Sequence, residues 1–96
     1  MTGERVAGKV LVVDDDASVQ RLLQFTLEQE GYEVVVASDG ADGLRRWQQE
    51  SPSLVLLAVS VRQLDGYEVA TRIRAEESGS RHPPIIMLTT DKDVQA

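Results

Sequence analysis

The chain has 96 residues, which is enough for one small domain, and its formal net charge of −6 argues against binding to nucleic acid or to anionic membrane surfaces. It has no cysteine, so disulfides, thiolate catalysis and cysteine-ligated metals are excluded. No apolar run approaches the roughly 20 residues that span a bilayer, and residues 1–9 contain no apolar signal-peptide core. We therefore expect a cytoplasmic protein with a single domain over residues 1–96.

Four short apolar runs, rich in valine, leucine and isoleucine, alternate along the chain with amphipathic stretches. Such runs are typical of strands that are buried on both faces of a sheet. The predicted strands are Lys9–Asp14, Tyr32–Ala37, Leu54–Val59 and Ile85–Leu88.

Apolar residues spaced three and four apart predict a helix in each interval between the strands. The first helix follows Asp16 and ends at Gly31, and the second follows Asp39 and ends at Ser51-Pro52. The third begins at Asp65 and ends near Ser78-Gly79, and residues 89–96 are consistent with the start of a fourth. The predicted stripes are Val19, Leu22, Leu23 and Leu27, then Ala41, Leu44 and Trp47, then Val69, Ala70 and Ile73.

Strict alternation of strand and helix predicts an α/β fold, with a parallel sheet, helices on both faces and right-handed crossovers. In such folds ligands bind at the carboxyl ends of the strands. The residues expected there are Asp14, Asp15 and Asp16, then Ser38 and Asp39, then Ala58, Val59 and Ser60, then Thr89 and Thr90.

The acid run, residues 14–16, is the sharpest of these features. Two carboxylates ~4 Å apart repel by about 4 kcal/mol at an effective dielectric constant near 20, so such a run favours a counter-charge, and Mg²⁺ prefers hard oxygen ligands. The alternative is that Asp16 caps the first helix while Asp14 and Asp15 are solvated turn residues. The acid run by itself leaves both interpretations open.

Four segments in order, "VLVVDDDASVQRLL", "GYEVVVASDGADGL", "SLVLLAVSVRQLDGYEV" and "PPIIMLTT", resemble the receiver (CheY-like) domain of bacterial two-component response regulators. The resemblance runs from Lys9 to about Asp91. It implies a flavodoxin-like, doubly wound parallel sheet, of which this chain would form the strand order 2-1-3-4. The fifth strand and the last helices of the family fold would be missing, so we expect a truncated receiver.

The resemblance also implies roles for individual residues. In the family an acidic pair after the first strand binds Mg²⁺, an aspartate ending the third strand accepts phosphate from a histidine kinase, and a hydroxyl ending the fourth bonds the phosphoryl group. The pair matches Asp14 and Asp15, the hydroxyl matches Thr89, and the phospho-acceptor position holds Ala58. The proline usual in the following loop is replaced by Arg62, and the family's lysine at the end of the fifth strand has no counterpart.

No neighbouring residue is expected to replace the missing groups. Ser60 has no base to activate it, and Asp65 is expected to be the N-cap of the third helix. Lys9 would lie about 16 Å from Asp14, at about 3.3 Å per residue. Lys92 could reach the site only from the start of a helix, and His82 has no second histidine beside it.

We therefore expect a degenerate receiver that acts in phosphorelay signalling as a phosphorylation-independent protein-interaction module. Its partners would be a histidine kinase or another response regulator, with no cofactor required and Mg²⁺ binding weak at best. The bare fourth strand predicts a homodimer, through the strand edge or by exchange of elements between chains.

Two alternatives remain. The chain is a trimmed or mutated fragment of an ordinary phospho-accepting response regulator, or it is an enzyme on the same architecture, such as a Mg²⁺-dependent phosphatase using Asp14 and Asp15. The enzyme is disfavoured because the sequence offers no second general base, no glycine-rich phosphate loop and no nucleophile.

Overall fold

The computed structural model describes residues 8–59, 65–76 and 83–88. Strands and helices alternate through these residues, as the hydrophobic pattern predicted. The elements are β1 (Gly8–Val13), α1 (Ala17–Gln29), β2 (Tyr32–Ala37), α2 (Gly40–Glu50), β3 (Leu54–Ala58), α3 (Gly66–Glu76) and β4 (Ile85–Leu88).

The strands form a four-stranded parallel sheet in the order β2-β1-β3-β4, which confirms the predicted topology. In the centre, Val12 pairs with Val36 of β2 and with Leu56 of β3. Because β1 has a neighbour on each side and helices over both faces, its residues from Val10 to Val13 are fully buried. Because the four strands run parallel, their carboxyl ends lie along one edge of the sheet.

Two apolar cores lie on opposite faces of the sheet because side chains alternate along each strand. Val69 and Ile73 of α3 pack on the first face, together with Leu11 and Leu57 of the sheet. The second face contains Val10, Val12 and Leu56, against which Leu23 and Leu27 of α1 pack.

Two of the predicted helical stripes need correction. Leu22 is 64% exposed and does not belong to the packed face of α1, and Phe25 is 63% exposed beside it. Residues four apart, such as Leu23 and Leu27, share the face toward the sheet, whereas Leu22 is turned about 100° from Leu23 around the helix. Ala41 of α2 is likewise exposed.

Helix α2 lies close to the sheet because it presents a glycine to β1. A Cβ atom on Gly43 would lie 3.0 Å from both γ carbons of Val13. The close approach replaces side-chain packing with backbone packing, which explains why the apolar stripe of this helix is weak in the sequence. The third predicted stripe is confirmed, since Val69 and Ile73 are fully buried.

The helix ends follow the predicted capping residues. Asp16 accepts hydrogen bonds from the Ser18 and Val19 N–H groups at 2.8 and 3.3 Å. Gly31, after α1, has φ +95°, a left-handed conformation that favours glycine. Helix α3 is described as far as Glu76, and its predicted end near Ser78-Gly79 lies outside the described residues.

In the described part of the chain, no helix combines the length and the apolar character that crossing a membrane requires.

Candidate functional site at the carboxyl ends of the strands

The acid run divides into a buried residue and a capping residue. Asp14 is only 8% exposed; its N–H donates to Ala37 O at 3.1 Å, and its Oδ1 accepts from the Asp16 N–H at 2.9 Å. Asp16 is exposed and caps α1, while Asp15 between them is half-buried. The helix-cap interpretation is therefore right for Asp16, but Asp14 is not a solvated turn residue.

Burial raises the pKa of the Asp14 carboxyl, because a charged carboxylate loses solvation inside the protein. The hydrogen bond from the Asp16 N–H opposes this rise, and the negative charges of Asp15 and Asp16 add to it. A cation beside Asp14 would offset both the lost solvation and the repulsion. The electrostatics of this strand end therefore favour a positively charged ligand or partner group.

Gln20 is a further residue of this site, and the sequence analysis missed it. Its backbone N–H donates to Asp16 O at 3.0 Å in the first turn of α1. Its side-chain Nε2 donates to the Asp14 carbonyl oxygen and, at 3.1 Å, to the Ser38 hydroxyl. The available signal was a polar residue one turn after an N-cap, between the apolar positions Val19 and Leu23.

The carboxyl end of β3 carries a methyl group. Ala58 is the last residue of the strand and is 7% exposed. The Val59 N–H donates to Leu88 O at 2.9 Å, and the Gly66 N–H donates to Val59 O at 2.8 Å. A Cβ atom on Gly66 would lie only 2.1 Å from Ala58 O. β4 and the start of α3 therefore hold this strand end from two sides.

The other predicted residues have different outcomes. Asp65 caps α3 as expected, accepting from the Glu68 N–H at 2.9 Å. Lys9 lies at the amino end of β1, where its Nζ donates to Glu50 Oε1 at 3.0 Å, so it is bound far from the acid run. Thr89, Ser60, Arg62, His82 and Lys92 lie outside the described residues, and their assigned roles stay predictions.

The donor set suits Mg²⁺ in kind, because Asp14 and Asp15 are adjacent carboxylates and Mg²⁺ prefers hard oxygen ligands. Among the described residues, the set has only these two carboxylates. Across residues 8–59, 65–76 and 83–88, no three histidine, aspartate or glutamate side chains are grouped so that they could hold a metal ion.

Comparison with curated proteins finds longer relatives, of which the match covers about a third. The chain is 48% identical over 86 residues to "Probable transcriptional regulator ycf27" of Cyanophora paradoxa, a match that covers 90% of this chain and 34% of that protein. It is 44% identical over 81 residues to the alkaline phosphatase synthesis transcriptional regulatory protein PhoP of Bacillus subtilis, covering 84% and 32%. The chain thus spans about a third of the length of these relatives.

Solved structures show the same fold. The N-terminal domain of a response regulator receiver protein from Methanoculleus marisnigri JR1 has a TM-score of 0.80 at 30% identity, covering 92% of this chain and 74% of that one. The BeF₃-activated N-terminal receiver domain of Klebsiella pneumoniae RstA has a TM-score of 0.76 at 30% identity, covering 88% and 71%. The sequence model described as "Response regulator receiver domain" matches residues 10–96, and the chain belongs to that family.

Proposed function

We propose that this chain is a degenerate receiver that works in two-component signalling as a phosphorylation-independent protein-interaction module. One observation carries the proposal. The residue at the carboxyl end of β3, where the family places its phospho-acceptor, is Ala58.

The chemistry follows from that side chain. An aspartyl phosphate forms when a carboxylate attacks phosphorus, and a methyl group has no lone pair to do so. Among the acids at the strand ends, Asp14 and Asp15 follow β1, which pairs with β3, and they match the family's cation-binding pair rather than its nucleophile. The module therefore has no phosphoryl-transfer activity of its own.

Mg²⁺ binding is weak at best in this proposal, and no cofactor is required. When bound, the ion would supply positive charge that offsets Asp14 and Asp15. The third carboxylate that a phospho-acceptor would add is absent at position 58. Calorimetry that detected tight Mg²⁺ binding to this chain would contradict the weak-binding proposal.

The partners are proteins, either a histidine kinase or another response regulator. The net charge of −6 supports a partner other than nucleic acid or an anionic membrane, and we place the module in the cytoplasm. A second copy is a further partner. In the described part of the chain β4 has one strand neighbour, β3, and Ile86 on β4 is 49% exposed, which supports pairing through the edge of β4 or exchange of elements.

Phosphorylation tests the proposal directly. The chain and an Ala58→Asp variant are each incubated with acetyl phosphate and, separately, with beryllium fluoride, in the presence of Mg²⁺. We expect a mass increase and spectral changes only in the variant. A labile, hydroxylamine-sensitive phosphate on the unaltered chain would overturn the proposal.

A second candidate has a specific observation in its favour. Because the chain spans about a third of its curated relatives, it is also consistent with a fragment of a longer, phospho-accepting response regulator in which position 58 was altered. Peptide mass analysis of the protein isolated from its natural source decides between the two. A peptide with alanine at position 58 supports the degenerate receiver, and one with aspartate supports the fragment.

A further inference from the structure

The proposed function assigns no role to the carboxamide of Gln20, which makes two hydrogen bonds at the strand ends. Its Nε2 carries two hydrogens and donates to two acceptors, the carbonyl oxygen of Asp14 and the hydroxyl of Ser38. Asp14 follows β1 and Ser38 follows β2, so one side chain joins the carboxyl ends of two neighbouring strands. The backbone of Gln20 is itself held in the first turn of α1 by its bond to Asp16 O.

With the Gln20 bond, Asp14 makes three hydrogen bonds to its surroundings. Its N–H is bound to Ala37 O, its Oδ1 receives the Asp16 N–H, and its carbonyl oxygen receives Gln20. The Gln20 bond to the Asp14 carbonyl oxygen restricts rotation of the peptide after Asp14. That peptide also sets the direction in which Asp15 leaves the strand, so the geometry of both carboxylates depends on it.

We propose that Gln20 is a positioning residue that orients Asp14 and Asp15 and so sets the affinity of this strand end for a divalent cation. The inference rests on the proposed function only in taking these two carboxylates as the cation-binding pair. Groups that orient metal ligands without touching the metal typically change affinity by 10–100-fold. Gln20 bonds the backbone of Asp14 rather than its carboxylate, so we expect it to change the cation affinity by about 10-fold, at the lower end of that range.

The experiment compares Gln20→Met with Gln24→Met in the full chain. Methionine is close to glutamine in length and helix propensity but cannot donate. Gln24 lies one turn further along α1, and its Nε2 donates to Glu28 Oε2 at 3.2 Å within the helix, so its replacement is a matched control. Mn²⁺ is the probe, and its dissociation constant is measured from paramagnetic broadening of backbone amide signals.

All variants are measured both in the chain as it stands and with Ala58→Asp, whose third carboxylate we expect to tighten cation binding. We expect Gln20→Met to weaken Mn²⁺ binding about 10-fold and Gln24→Met to leave it unchanged. Ser38→Ala removes one of the two bonds and should have a smaller effect. The double variant Gln20→Met/Ser38→Ala should bind like Gln20→Met alone, because Gln20→Met already removes the bond to Ser38 that Ser38→Ala breaks.

Thermal unfolding of each variant separates positioning from stability. Equal Mn²⁺ affinity in Gln20→Met and in its parent would overturn the inference, whether or not the melting temperature falls. Equal weakening by Gln24→Met would overturn it as well. The ratio of dissociation constants does not depend on phosphate labelling, so an unaltered chain that accepted phosphate would refute the degenerate receiver without deciding the role of Gln20.

Discussion

Replacing Gly66 with alanine tests the contact that holds α3 against the carboxyl end of β3. A Cβ atom at this position would lie 2.1 Å from Ala58 O and 3.0 Å from both Ala58 C and Val59 Cα. All of these atoms belong to the backbone, and the Gly66 N–H bond to Val59 O is made at the same place. A side chain could rotate away, but here β3 and α3 must separate by more than 1 Å to reach ordinary contact at 3.4 Å.

The expected cost follows from that separation. Overpacking of this kind costs about 1–3 kcal/mol, and weakening the hydrogen bond adds about 0.5–1.5 kcal/mol. The better helix propensity of alanine returns at most about 1 kcal/mol, and less at the first residue of a helix. We expect the free energy of unfolding to fall by about 2 kcal/mol, which lowers the melting temperature of a domain of this size by about 10 °C.

Thermal and urea unfolding followed by circular dichroism measure this change. Gly43→Ala is the control, because its Cβ would meet the side chain of Val13 at 3.0 Å rather than the backbone. Gly43 lies inside α2, where alanine is favoured by about 1 kcal/mol, and this gain offsets part of the cost of displacing the buried Val13 side chain, so we expect a smaller loss than in Gly66→Ala. Equal stability of Gly66→Ala and the parent chain, or a larger loss in Gly43→Ala, would refute the reasoning.

Three further changes test other parts of the structure. Asp16→Ala removes the N-cap of α1 and should lower the free energy of urea unfolding by about 1 kcal/mol, whereas unchanged stability would mean that the cap bonds contribute nothing. Because burial raises the pKa of Asp14, the folded state binds its proton more tightly than the unfolded chain. The stability of the parent relative to Asp14→Asn should therefore fall as the pH rises from 3.8 through the raised pKa and then level off, and a rise over that window would contradict the burial argument. Within the described residues β4 has one strand neighbour, and Ile86→Lys places a charge on that strand; if the proposed dimer pairs through β4, the variant should shift light scattering toward the monomer, while a dimer that persists would place the interface elsewhere.

Much of the fold could be predicted because it depends on local patterns. The four apolar runs are short and continuous, and buried parallel strands require that pattern whatever surrounds them. The caps Asp16 and Asp65 were also predicted, and Asp39, which precedes the second predicted helix, caps it as well; each accepts hydrogen bonds from backbone N–H groups two or three residues ahead. The sequence also shows that Ala58, at the end of the third predicted strand, replaces an aspartate within a segment that otherwise resembles the receiver family.

Other features depend on which parts of the chain meet. The sequence shows both Leu22 and Leu23 as apolar, and the position of α1 over the sheet decides that Leu23 packs while Leu22 is exposed. From the sequence, Gln20 is an ordinary polar residue of an amphipathic helix. It belongs to the site because β1 and β2 end side by side, where its side chain bonds Asp14 and Ser38.

The sequence by itself determined the order of strands and helices, the helix starts and the lack of a carboxylate at position 58, because each is a property of a residue and its near neighbours in the chain. Only the tertiary structure decided that Asp14 is buried with a raised pKa, that a side chain at position 66 would meet the backbone of β3, and that Gln20 joins two strand ends. The physical reason is that solvation, steric contact and hydrogen bonding between distant residues depend on the distances that folding creates.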